Sequence, residues 1–302
     1  MVLWCCPVLS GAGQLTPGLL MWGCFRRTGS TADLEEAILM HHESLSLCPT
    51  PHPSCCTSLN NLGSGLMEHY AMTGSMADLE EASLIHRESL SLRPTPHPDC
   101  PFSLNNLAIA LSYRSWQTGL VADLKEAIFL HRESLSLRPI SHPYHPDSLY
   151  NLAKALQKHF GKTGSMTDLE EAILLYRESL SFRPTSHPDC FESLNCLACA
   201  LCDRFGETGS MTDLEEAISM LREALSLWVG PPATHPQRLV ALDNLASILD
   251  VELASRVELR AHHGAPYLSF AYCFCYELEA YALLFRYIPL SYLLIVHICI
   301  SY

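Results

Sequence analysis

The sequence predicts an all-α fold, an α-α superhelix in which antiparallel helix pairs stack as a solenoid. Three observations predict it. The string D-L-[EK]-E-A begins at Asp33, Asp78, Asp123, Asp168 and Asp213, 45 residues apart each time. A second string, L-x-x-L, begins at Leu59, Leu104, Leu149 and Leu194 with the same spacing, and a fifth copy begins at Leu242 after a step of 48. Within each copy the apolar residues recur at helical spacing, and no strand-period segment competes in the repeated body.

The first helix of a unit is typified by Ser103–Tyr113, where Leu104, Leu107, Ala108 and Leu111 fall at i, i+3, i+4 and i+7 on one face. Asp99, following His97-Pro98, is placed to cap it. The second helix is typified by Asp78–Leu92. Ser75 and Asp78 resemble a capping box, Glu80 and Glu81 sit in the first turn, and Arg93 stands at the far end, the charge order that complements the helix dipole. Thr73-Gly74-Ser75 between the helices and the Pro- and His-containing run after them are breaker signals. The three extra residues of the last step fall at 228–233, in a loop. One such helix pair cannot bury both of its apolar faces, whereas stacked neighbours can.

Three regimes divide the 302 residues: an apolar head over 1–27, the repeat array over 28–257, and an aromatic, apolar tail over 258–302. The array reads as four full helix pairs with a half repeat at each end: a second helix alone at Asp33–Leu47 and a first helix alone near Leu239–Asp250. A degenerate partner for the former falls over Gln14–Phe25, weakened by Pro17 and Gly18. Half repeats expose an apolar face, so the head and tail are candidate caps, or the chain is a fragment of a longer array.

The net charge is -13, with 19 Lys and Arg against 32 Asp and Glu. This argues against a nucleic-acid partner, which needs cations to displace counterions from phosphates. The acidic body would favour cationic partners, although carboxylates that begin exposed helices also serve solubility. No basic residue precedes the apolar run at the N-terminus and Pro7 interrupts it, so no secretory signal is read. The expected location is the cytoplasm, with the 14 cysteines mostly free thiols and small core residues. A membrane role is expected only through the tail: Ala280–Tyr302 is 23 residues with one charge, at Arg286, and one proline, at Pro289. A cap on the last helix, or an extension from a misplaced gene boundary, is the competing reading of that segment.

These residues resemble a tetratricopeptide repeat (TPR), in the longer form similar to kinesin light chain repeats and fungal multi-repeat proteins. Leu104, Leu107-Ala108 and Leu111 match the large, large-small and large places of the family's first helix. Ala127, Ser134 and Pro139, like Ala172, Ser179 and Pro184, match the two small residues and the proline of its second. The departures are Leu for the usual Trp and Tyr, Ser for Ala in most second helices, and loops that lengthen the usual unit to 45.

The resemblance implies that the first helices line a concave face. Asparagines recur on them: Asn60, Asn61, Asn105, Asn106, Asn151, Asn195 and Asn244. An amide both donates and accepts, so such a ladder suits the backbone of an extended peptide without reading its sequence. A polar, solvated helix face copied by duplication is the alternative. The expected function is a non-catalytic scaffold that binds a peptide or protein partner in this groove. The alternative is a fragment of a fungal regulatory protein in which the array senses for a caspase-like protease or an NTPase effector domain lying elsewhere.

No cofactor, metal site or catalytic residue is expected. Cys196, Cys199 and Cys202 form C-x2-C-x2-C, but a fourth Cys and a following Pro are missing and the spacing lies on a helix. His86-Arg87-Glu88 and His131-Arg132-Glu133 repeat at one helical position, which reads as scaffold. The His-Pro pairs belong to inter-repeat turns. Gly161-Lys162-Thr163 lacks the upstream glycine and strand of a phosphate loop.

Overall fold

The computed structural model describes residues 29–47, 53–93, 95, 97–185, 187, 189–227 and 236–262, with Gly23 and Phe25. Among the described residues the regular structure is entirely helical. The helices are α1 (Thr31–Ser46), α2 (Pro53–Thr73), α3 (Met76–Ser91), α4 (Cys100–Thr118), α5 (Val121–Ser136), α6 (His145–Thr163), α7 (Met166–Ser181), α8 (Cys190–Thr208), α9 (Met211–Leu227) and α10 (Pro236–His262). They form two compact units, up to Asp168 and from Leu169 onward. In the first, α2 pairs with α3 and α4 with α5, each pair packing on the next; in the second, α8 pairs with α9 and α10 packs on α9. The fold class is the all-α, helix-pair superhelix that the repeat predicts. The head apart from Gly23 and Phe25, the 228–233 loop and the 280–302 segment lie outside the described residues. None of the described helices is long and apolar enough to cross a membrane.

The repeated leucines form the core. Leu59, Leu62, Leu104, Leu107, Leu149, Leu152, Leu194, Leu197, Leu242 and Leu245 are all buried, as are Leu79, Leu124, Leu169 and Leu214 of the D-L strings. Small residues let the helices close. Ala108 on α4 and Ala127 on α5 share one buried cluster with Leu104, Leu107 and Leu111, and Ala82 on α3 and Ala110 on α4 share another with Leu62 and Leu79. Serine, rather than alanine, holds the second small place of α3 and α5, and the packing supplies a reason. The buried Ser89 hydroxyl donates to the Cys56 carbonyl at 3.1 Å, and Ser134 donates to the Pro101 carbonyl at 2.8 Å. Each joins the second helix to the first turn of its own partner, satisfying a carbonyl that sits among apolar side chains.

The Thr-Gly turns between helices are built alike, with serine next in four of them and Leu120 in the other. Gly29, Gly74, Gly119, Gly164 and Gly209 all take φ between +68° and +76°. Gly119 N–H donates to the Ser115 carbonyl at 2.8 Å, closing the end of α4 in the left-handed conformation that favours glycine. A Cβ on Gly119 would meet nothing within 4 Å, so the cost of an alanine there is backbone strain alone. Gly119→Ala is expected to lower stability by about 1–2 kcal/mol, measured as a shift of the urea midpoint at constant slope.

Three sequence expectations are corrected by the packing. Asp99 occupies the N-cap place of α4 but makes no side-chain cap; its carboxylate lies 3.6 Å from Arg93 Nη2. The Ser75 hydroxyl does accept from Asp78 N–H, at 3.4 Å, but the Asp78 carboxylate turns away to His69 instead of completing a reciprocal box. Arg93 does not reach solvent beside the helix end. It is 1% exposed and donates to Thr57 and Ser103, tying the turn to the next first helix. Arg138 donates likewise to Ser148, and Arg183 to Ser193. The His-Pro pairs are turn elements, as expected: the Nδ1 atoms of His97, His142 and His187 accept from the backbone N–H of Asp99, Tyr144 and Asp189.

Candidate functional site: the first-helix face

The recurring aspartate of D-L-[EK]-E-A joins each helix to its partner nine residues back. Arg114 donates Nε and Nη2 to Asp123 at 2.6 and 2.8 Å, and Arg204 donates the same two groups to Asp213 at 2.8 and 2.6 Å. In the other two pairs a histidine takes the place of arginine: His69 and His159 lie 2.6 Å from Asp78 and Asp168. These latches fix the angle at which the first helices present their faces.

The first helices also meet each other. Within the first unit α2 approaches α4 and α4 approaches α6; within the second, α8 approaches α10. Asparagines make the connections. Asn106 Nδ2 donates to Asn60 Oδ1 at 2.9 Å, Asn151 Nδ2 to Asn105 Oδ1 at 3.0 Å, and Asn244 Nδ2 to Asn195 Oδ1 at 3.1 Å. The register is constant: the second place of the Asn pair donates to the first place one repeat earlier. Tyr150, Cys196 and Asp243 occupy three of these places, so the amide row is not continuous in sequence. Asn60, Asn61, Asn105 and Asn106 are buried, whereas Asn151, Asn195 and Asn244 are half-buried. The sequence spaces the amides; their pairing with one another only the packing supplies.

Around the α4–α6 part of this row stands a set of groups that sequence reasoning passed over. Lysine occurs four times in the chain, at 125, 154, 158 and 162, and three of the four lie on α6 at steps of four. Lys158 Nζ lies 4.8 Å from the Tyr113 ring centroid, and Lys154 Nζ lies 5.5 Å from that of Tyr150. Tyr113 meets Tyr70 edge-on at 5.9 Å, and Gln117 donates to the Tyr70 hydroxyl at 2.6 Å. The i, i+4, i+8 spacing was the available signal. In the second unit, Cys196, Cys199 and Cys202 are half-buried thiols on α8. Burial, with Cys196 and Cys202 close by, pushes the Cys199 thiol up to about 12, and burial with Asp203 nearby does the same for Cys202. Asn244 Nδ2 lies 3.5 Å from Cys199 Sγ. Among the described residues no group of three or more His, Cys, Asp or Glu is placed to hold a metal ion.

The arrangement offers hydrogen-bonding amides and ammonium groups along one face of stacked helices. A profile of the tetratricopeptide repeat matches residues 55–99, 147–189 and 191–237. A crystal structure of a variant of the nearly identical TPR-like repeats of a Podosopora anserina kinesin light chain is 18% identical and covers 69% of this chain and 92% of that one, with a TM-score of 0.50. A second structure of those repeats is 19% identical, covering 71% and 97%, with a TM-score of 0.49. BtubC (BKLC) from P. vanneervenii is 15% identical, covering 78% and 93%, with a TM-score of 0.42. No curated protein matches the chain. Over 55–99, 147–189 and 191–237 the chain is similar to the tetratricopeptide repeat, and in helix-pair packing and fold it is similar to those TPR-like repeats.

Proposed function

We propose that the protein is a non-catalytic scaffold that holds a peptide or protein partner against the face formed by its first helices. TPR arrays are scaffolds typical of protein–protein interaction, and the chain carries that repeat. The observation that supports the finer reading is the amide row. Each Asn–Asn pair uses one donor and one acceptor, and each amide has further hydrogen-bonding capacity. Asn151, Asn195 and Asn244, being half-buried, are the members able to meet an extended backbone. Asn60, Asn61, Asn105 and Asn106, being buried, set the spacing of the helices that present them. Lys154 and Lys158 supply positive charge on an otherwise acidic protein, so the favoured segment carries carboxylates. Nucleic acid is disfavoured by the net charge of -13. The partner is met in the cytoplasm.

The test is peptide selection on the immobilised protein, followed by calorimetric titration of the selected sequence. Asn151→Ala and Lys158→Ala are each expected to weaken binding about tenfold, the loss of one well-placed polar contact, with the far-UV dichroism unchanged. Undiminished binding by both variants would overturn the reading.

A further inference from the structure

The outer face, on the second helices, carries a second pattern. Leu39 on α1, Leu84 on α3 and Phe129 on α5 occupy the same place in three successive copies, 45 residues apart. They are 67%, 67% and 65% exposed, whereas the leucines five residues earlier, Leu34, Leu79 and Leu124, are buried. Leu174 on α7 repeats the exposure at 63%. Large apolar side chains scattered singly on a surface need no explanation, but a register-locked column does.

The surroundings of the column are charged and organised. Glu35, Glu36, Glu43, Glu80 and Glu88 are exposed beside it. Over α1, α3 and α5 there are eleven Asp or Glu against three Lys or Arg. Inter-repeat polar contacts cross the face between the apolar side chains. His42 lies 3.5 Å from Glu81, and Arg87 donates to both oxygens of Glu126, at 2.7 and 3.1 Å. Helices bridged by direct side-chain contacts are separated by about one helix diameter, ~10–12 Å. Seven residues of an α-helix rise about 10.5 Å. A helix lying across the second helices therefore meets one member of the column with every seventh residue.

We propose that this outer face of the first unit docks a basic amphipathic helix, with apolar residues at heptad spacing seated on Leu39, Leu84 and Phe129 and with Lys or Arg flanking them toward the glutamates. Charge complementarity selects this occupant. A second copy of the same face would bring an excess of carboxylates against itself, and an acidic helix would meet the same repulsion. The site is on the opposite helices from the amide row, so it stands independently of the groove reading.

The test uses the full chain and a fluorescently labelled helical peptide of about three heptads, with Leu at the seam positions and Lys beside them. Saturable binding by anisotropy is expected, weakened at least tenfold by the double variant Leu84→Ser, Phe129→Ser and left intact by Asn151→Ala. A peptide with Glu in place of each Lys is expected not to bind. Because the substituted residues are two-thirds exposed, the variants keep the melting temperature of the parent; Glu80→Lys with Glu88→Lys is a second variant that leaves the apolar column untouched and also weakens binding. The proposal is overturned if the Lys peptide does not saturate, if the Glu peptide binds equally, if both double variants bind as the parent does, or if sedimentation shows a self-associated form lost on Leu84→Ser, Phe129→Ser.

Discussion

Lowering the pH from 7 to 5 is expected to unfold the first unit. His41, His86 and His131 fill one place in three successive second helices, and all three are buried. Burial, with His42 nearby, lowers His41 to about 4; burial alone lowers His86 to about 4; burial, with Arg138 and Lys158 nearby, lowers His131 to about 3. The Nε2 of His41, both ring nitrogens of His86 and the Nδ1 of His131 are buried without a hydrogen-bond partner. Gly63 makes room for the second of them, since a Cβ there would come within 2.7 Å of the His86 ring. The unfolded chain takes up a proton at each site near pH 6.5, whereas the folded chain resists until about pH 4 or 3. Stability is therefore full above 6.5 and falls as the pH drops through that window. Each histidine contributes a loss of about 2 kcal/mol between pH 7 and pH 5. Three such losses approach the whole stability of a typical domain, ~5–15 kcal/mol. Sister copies hold Tyr176 and Leu221 at the same place, both fully buried. The double variant His86→Leu, His131→Leu is expected to retain most of its melting temperature at pH 5. A parent protein whose thermal melt by circular dichroism is the same at the two pH values would refute this account.

Asp123→Ala is expected to cost about 2–3 kcal/mol, below the ~3–5 kcal/mol of a fully buried pair because water reaches the arginine. The Asp123 side chain is 11% exposed and Arg114 is 26% exposed. The bidentate geometry makes this the strongest type of charge-assisted contact, and hydrogen bonding to Asp123 also raises the Arg114 pKa. Removing the carboxylate leaves a half-buried guanidinium facing the end of its own helix pair. Asp78→Ala is expected to cost less, about 1 kcal/mol, because its partner His69 offers one hydrogen bond where arginine offers two. Urea unfolding of the two variants, with Arg114→Leu and the double variant Arg114→Leu, Asp123→Ala to close a cycle, measures the coupling. A coupling near zero between Arg114 and Asp123 would show that the recurring aspartate serves the helix start and not the latch.

The candidate face was partly legible before the structure. A row of asparagines at fixed spacing places amides on the first helices, but spacing along one chain does not say which amide reaches which. Asn151 bonds to Asn105 across two helices and not to a near neighbour in sequence. The partners of Asp99 and Arg93 are hidden for the same reason. Local rules assign each to the nearest helix end, the only partner that short-range spacing contains. The packing offered each other, with Ser103 and Thr57 as further acceptors for the arginine.

The pairing of the helices and their core follow from the sequence alone, whereas the first helices run past the stretches that the repeat marks: α4 is Cys100–Thr118 against Ser103–Tyr113, and α10 is Pro236–His262 against Leu239–Asp250. A 45-residue period in Leu, Ala and Gly dictates which stripe is apolar and where the chain reverses. Those are short-range consequences of helical geometry and of glycine's access to positive φ. Only the tertiary structure decided which polar groups are buried and with whom they bond. Asp123 with Arg114, Asn106 with Asn60 and the outward display of Leu84 and Phe129 all depend on how one helix lies against the next. Hydrogen bonds and ion pairs are directional at the scale of tenths of an ångström, and that alignment is set by the packing of leucines and alanines between helices, which no single helix encodes.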